Sequence, residues 1–304
     1  MSQDSSPVPA QPKGPLVWLD MDQKALDDAY DQSVYAPNQA LVQKRRDVST
    51  ARARKALGEP LRVKYGTPEI EGLDVYRTRK AKAPIAVYIH GGAWRNGVSA
   101  NFATPAEMFV NAGAHYVVVD FSSVDNAQGS LFPMVDQVRR AVGWVYENAA
   151  EIGGDPDQLY VLGHSSGGHL AGCVVVTDWA KDYGLPARII RGATLCSGMY
   201  DLTPVRLSKR SKYVSFTDEM VAELSAIEHI DKINMPLLMG YGTCETPEFQ
   251  RQAREMHAAV QAAGKPVELI VGDGFNHFEI FETFSNPYGL MGRAILKLMG
   301  LGPG

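Results

Sequence analysis

Short, almost wholly apolar runs recur along this chain, and each is separated from the next by residues with helical spacing. Residues 85–89 (IAVYI), 116–120 (YVVVD), 159–162 (LYVL), 190–196, 236–241 and 267–271 are such runs. A strand with one wet face alternates apolar and polar residues, whereas a strand covered on both faces reads as continuous Val, Ile and Leu. Helical patterning over 104–112, 135–150, 169–178 and 247–263 falls between the runs. Strand and helix alternating in this way predict an α/β fold with a mostly parallel central sheet and helices on both faces. Ahead of the alternation, 61–65 and 72–76 predict two short antiparallel strands joined by the turn-rich Gly66-Thr67-Pro68.

The 304 residues, 45% of them hydrophobic, suffice for one large domain over 15–304, preceded by a Ser-, Pro- and Gln-rich tail at 1–14 expected to be disordered. Helical pattern in 24–32 and 39–57 predicts a cap segment over about residues 15–60. Residues 198–230 break the rhythm and are expected to form an insertion over the C-terminal ends of the strands. The net charge of −4 gives no electrostatic reason to expect a nucleic acid or an anionic membrane as partner. The short basic clusters at 44–46 and 206–212 read as solvated faces. No apolar run reaches the roughly 20 residues that cross a bilayer, and the N-terminus lacks the apolar stretch of a secretory signal. Three scattered cysteines match neither a disulfide framework nor a metal site, so a cytoplasmic setting is expected.

Gly163-His164-Ser165-Ser166-Gly167 matches G-x-S-x-G. The pentapeptide alone is a weak signal. Its context is strong, because an apolar strand precedes it directly and a small-residue helix follows. A nucleophilic serine on a tight strand-to-helix turn projects its hydroxyl above the sheet, and flanking glycines let strand and helix close up. A phosphate-binding turn is the alternative, but no Lys follows as a P-loop requires, and no G-x-G-x-x-G follows a first strand.

His90-Gly91-Gly92-Ala93-Trp94 ends an earlier buried strand, where acyl-transfer enzymes of this architecture place backbone donors for an oxyanion. Gly91, Gly92 or Ala93 would supply one or two N–H groups and Ser166 another. Trp94, Phe121 and Phe278 are candidate pocket walls, and His90 reads as a histidine that holds its loop. The general base belongs late in the chain, and of seven histidines His277 follows the last buried strand. The acid belongs after the preceding strand, where Glu245 stands just past its end. Glu248 reads instead as a charge in the first helical turn.

With these residues in place, the chain resembles the kynurenine formamidase (arylformamidase) branch of the α/β-hydrolases, related to hormone-sensitive-lipase-like esterases. The resemblance runs from about residue 26 to the end, through the HGGxW form at 90–94, the run 163–170, Ser197-Gly198-Met199-Tyr200-Asp201-Leu202, and Glu245-Thr246-Pro247-Glu248-Phe249 followed by His277. It implies a serine hydrolase, needing no metal or organic cofactor, that cleaves a small N-formyl aryl amide or an aryl or short-acyl ester. A homodimer is a further implication. A carboxylesterase without formamidase activity is the alternative within catalysis; a ligand-binding protein on a hydrolase scaffold is the alternative outside it. One departure is Phe121-Ser122-Ser123, where related enzymes carry a Tyr-Arg-Leu type motif, and it bears on the neighbouring pocket.

Overall fold

The computed structural model describes residues 14–302, so the expected tail lies, but for Gly14, outside the described residues. Eight strands form the central sheet: β1 (Leu61–Lys64), β2 (Gly72–Tyr76), β3 (Ala83–Ile89), β4 (His115–Val119), β5 (Gly154–His164), β6 (Gly192–Cys196), β7 (Leu237–Gly242) and β8 (Val267–Gly272). Their spatial order is β8-β7-β6-β5-β3-β4-β2-β1. β2 runs antiparallel to β1 and β4, and the remaining pairs are parallel. From β3 the chain steps to one side to make β4, then returns to the other side to make β5. The loops leaving β3 and β5 therefore diverge, and a crevice opens between them at the C-terminal ends of the strands.

Successive side chains of a strand point to opposite faces, and here both faces are core. Ile85, Val87 and Ile89 of β3 join one apolar cluster while Ala86 and Tyr88 join the other. The first cluster is covered by the helices α4 (Phe132–Glu147), α5 (Ser166–Val175) and α7 (Pro247–Ala262); the second by α3 (Ala106–Asn111) and α9 (Leu290–Leu298). Along the chain, α6 (Asp218–Leu224) lies between β6 and β7, in the stretch 198–230, and α8 (His277–Glu282) follows β8. No helix among the described residues is long and apolar enough to cross a membrane.

Several boundaries differ from the sequence expectation for identifiable reasons. The helix expected from 169 begins at Ser166, because Gly167 and Gly168, poor helix formers in isolation, are needed there for close packing. β5 begins at Gly154 through an irregular pairing with Ala83, in a stretch whose Gly, Asp and Pro read as a turn. The helix expected over 24–32 stops at Ala29 (α1, Gln23–Ala29). The Asp31 carboxylate then accepts the Ser33 N–H and caps a new short helix, Gln32–Tyr35. Before α1, Leu16–Trp18 and Met21–Asp22 pair as a small hairpin that the sequence did not signal.

This N-terminal stretch and α2 (Gln39–Leu57) lie beside the crevice and are tied to the main body by specific bonds. Tyr30 is 2% exposed, and its hydroxyl donates to Glu248 Oε2 at 2.8 Å and accepts from Gln252 Nε2 at 2.7 Å. Gln252 Oε1 in turn accepts the N–H groups of Tyr200 and Asp201. Glu248 is completely buried but is neutralised by a two-point ion pair with Arg251, at 2.7 and 2.8 Å. Removing one hydrogen bond to a buried charge costs about 1–3 kcal/mol. Tyr30→Phe is accordingly expected to lower the urea unfolding free energy by about that amount; an unchanged midpoint would show that the tether contributes nothing.

Candidate active site

Ser165 turns the chain from β5 into α5 at φ 60° and ψ −131°. A non-glycine residue held there costs about 1–3 kcal/mol and persists only where its surroundings over-determine it. Here the surroundings are bare backbone. A Cβ on Gly163 would fall 2.2 Å from the Gly167 carbonyl oxygen, and one on Gly167 would fall 2.1 Å from that of Ile89. The Ser165 N–H donates to the Cys196 carbonyl at 3.1 Å and fixes the turn against β6.

The turn aims the Ser165 hydroxyl at His277, with Oγ 2.8 Å from Nε2. His277 follows β8 and stands as the first residue of α8. Asn276 caps that helix by accepting the N–H groups of Phe278 and Glu279, while Glu279 accepts the Asn276 N–H. Asn38, just ahead of α2, bonds both members of this capping box, at 2.7 and 2.8 Å. His277 Nδ1 lies 2.7 Å from Glu245 Oε2. An ionised carboxylate only accepts, so Nδ1 carries the proton and Nε2 is free to take one from Ser165. The second oxygen of Glu245 accepts the Gly242 N–H at 2.7 Å and the Ser197 hydroxyl at 2.6 Å. Ser197, at φ 50°, is a partner that the sequence motif contained but did not assign. The alternative acid, Glu248, faces Arg251 and Tyr30.

The loop after β3 lies against Ser165. A Cβ on Gly91 would sit 2.9 Å from Cβ of Ser165, and one on Gly92 would sit 1.8 Å from the Asn96 carbonyl oxygen, so only glycine fits either place. Trp94 N–H donates to Ser166 Oγ at 3.2 Å, which leaves Gly91, Gly92 and Ala93 as the donor candidates of this run. Ser166 opens α5, so its N–H is one of the helix's unsatisfied terminal donors.

Ser165, His277 and the loop border a cleft of about 680 Å³, whose outer wall includes Tyr30, Gln32, Arg46, Arg210 and Tyr213. Phe278 borders it; Trp94 and Phe121 do not. The left-handed turn at Ala93 and Trp94 drives the indole inward, where Nε1 donates to His169 Nδ1 at 3.2 Å. Phe121 lies beneath the loop, stacked on His90 with ring centroids 4.3 Å apart. The basic cluster read as solvated is likewise corrected at Arg210, which is 6% exposed and lies 5.4 Å from the Trp94 ring. The Arg210 guanidinium donates to the Tyr213 hydroxyl and to the Tyr30 carbonyl, which hold it against the body of the protein.

His90, His164 and His169 lie around this centre, and burial lowers the pKa of each, that of His169 to about 4. For His164 the proximity of His277 adds to the effect. All three fold as neutral rings, whereas in the unfolded chain they titrate near 6.5. As pH falls below about 6.5 the unfolded chain takes up protons that the folded chain refuses, so stability present above that pH is lost toward pH 4. The urea midpoint is expected to fall across this window, and to fall less steeply in His169→Gln; equal slopes would contradict the neutral buried ring.

The fold has counterparts in known proteins. The BD-FAE family model matches residues 73–185. Kynurenine formamidase of Danio rerio is 30% identical over 296 residues, covering 93% of this chain and 98% of that protein. Kynurenine formamidase of Salmo salar is 31% identical over 259 residues, covering 83% and 85% respectively. The propionate-bound structure of a thermophilic esterase from Thermogutta terrifontis superimposes with a TM-score of 0.67 at 21% identity, over 82% of this chain and 97% of that one, which is a likeness of fold. The chain belongs to the kynurenine formamidase family of α/β-hydrolases and is a hydrolase of the serine type.

Proposed function

We propose that the protein cleaves a small aryl amide of the N-formyl type, or an aryl ester, by two-step acyl transfer through Ser165. The observation that carries the reading is the unbroken chain from Ser165 Oγ to His277 Nε2 at 2.8 Å and from His277 Nδ1 to Glu245 at 2.7 Å. His277 takes the hydroxyl proton as Oγ bonds to the carbonyl carbon, and Glu245 stabilises the imidazolium formed. N–H groups from Gly91, Gly92 or Ala93, together with Ser166, receive the negative charge on the carbonyl oxygen. His277 then returns the proton to the leaving amine or phenol. Water, deprotonated by the same nitrogen, releases the acid from Ser165 by the reverse sequence.

The cleft supports a polar aryl leaving group. Phe278 offers an apolar face, while Arg46 and Arg210 border the cleft with no carboxylate paired to either among the described residues. An anionic substituent on the substrate would meet compensating charge there. The expected ranking is therefore an N-formyl aryl amide bearing a carboxylate above its uncharged analogue. Turnover of both, beside p-nitrophenyl acetate, checks it. Activity on the ester alone would favour the carboxylesterase reading. Ser165→Ala is expected to lower kcat by roughly 10⁴-fold or more and to block labelling by an aryl fluorophosphonate; residual turnover within tenfold of the unaltered enzyme would sink the assignment.

A further inference from the structure

His169 is fully buried and stands outside the relay, yet both its ring nitrogens are committed. Nε2 lies 3.1 Å from the carbonyl oxygen of Leu224, the last residue of α6 in the insertion. A carbonyl only accepts, so Nε2 carries the proton and Nδ1 is left as an acceptor. That acceptor receives the indole N–H of Trp94 at 3.2 Å. Burial keeps the ring neutral at ordinary pH, so the acceptor is retained.

Trp94 closes a run of three residues at positive φ: Gly92 at 125°, Ala93 at 55° and Trp94 at 63°. Side-chain-bearing residues hold such angles only under external constraint. Besides His169, the constraints are the Trp94 N–H on Ser166 Oγ and the Trp94 carbonyl, which accepts the Val124 N–H at 2.8 Å. Just ahead of the run, Gly91 lies so close to Ser165 that a Cβ there would fall 2.9 Å from that of the serine. The separation between the loop's N–H groups and the serine hydroxyl thus depends on where Trp94 is held.

We propose that His169 is a positioning residue for the oxyanion loop: with its tautomer set by the Leu224 carbonyl of the insertion, it anchors the Trp94 indole and thereby places the N–H groups of residues 91–93 relative to Ser165. This rests on the acyl-transfer reading above. An oxyanion exists only along the reaction path, so losing the anchor weakens turnover and spares substrate binding. It also makes the insertion a contributor to rate, since α6 ends on the carbonyl that chooses the tautomer.

The acyl-transfer reading stands or falls on unaltered enzyme hydrolysing p-nitrophenyl acetate and Ser165→Ala failing to do so. The anchor is tested separately, with variants of the active enzyme. His169→Phe keeps a ring but has no acceptor. It is expected to lower kcat roughly 10- to 100-fold, with KM within about twofold, and to weaken an aryl trifluoromethyl ketone, which forms the oxyanion on Ser165, by a similar factor. His169→Gln, with an amide oxygen for the indole and an N–H for Leu224, is expected to recover most of the loss. Trp94→Phe leaves His169 in place, removes the donor and should match His169→Phe; the double variant should be no slower than the slower single. If His169→Phe does not fold, Trp94→Phe and His169→Gln carry the comparison. Full kcat and ketone affinity in Trp94→Phe, a loss confined to KM, or multiplicative losses in the double variant would overturn the proposal.

Discussion

Where β5 passes into α5, four stretches of main chain meet with no side chain between them. Gly163 faces the Gly167 carbonyl, Gly167 faces that of Ile89, and Gly168 would bring a Cβ within 2.8 Å of the Cys196 carbonyl. This contact of bare backbones forces Ser165 into its left-handed turn and brings the ends of β3 and β6 up to it. Every other distance in the site is measured from that junction. A methyl group at Gly163 or Gly167 would push strand and helix apart, and the 2.8 Å approach of Ser165 to His277 tolerates little displacement.

The second requirement is a buried carboxylate that stays an acceptor. Glu245 is 1% exposed, and an unpaired charge is costly to bury. Three donors remove that cost: the His277 ring on one oxygen, the Gly242 N–H and the Ser197 hydroxyl on the other. Two of these come from the ends of adjacent strands, so the parallel sheet itself solvates the acid. Ser197 Oγ has one proton to give, and a positive φ aims it.

What the sequence revealed was what depends on local chemistry. Continuous apolar runs marked the buried strands, and the glycines around Ser165 and after His90 marked places where only a hydrogen atom fits. His277 and Glu245 could be picked out because chain order restricts them to the ends of the last two strands. The misplaced residues all depend on partners far along the chain. Arg210 looked like one cation in a solvated cluster, and its burial follows from packing over Trp94 and Tyr30. Trp94 and Phe121 are aromatic residues beside a pocket, but which side of the loop they take is decided by His169 and His90. Nothing local in Tyr30 or Asn38 announces a partner more than 200 residues away.

Those distant partners change what the two outer segments do. Both border the cleft, so both touch whatever enters it, but neither rests only on the cleft. Asn38 bonds the capping box that starts the His277 helix, and Arg45 pairs with Glu282 at that helix's far end. Tyr30 holds Glu248 in the helix that follows Glu245. Leu224 binds His169 behind the loop after β3. On the proposed mechanism, acid, base and oxyanion loop are thus each braced from outside by a segment that also borders the cleft. On that mechanism, shifting either segment to admit a different leaving group would strain the residues that attack it, so substrate preference and rate would be coupled through the same hydrogen bonds.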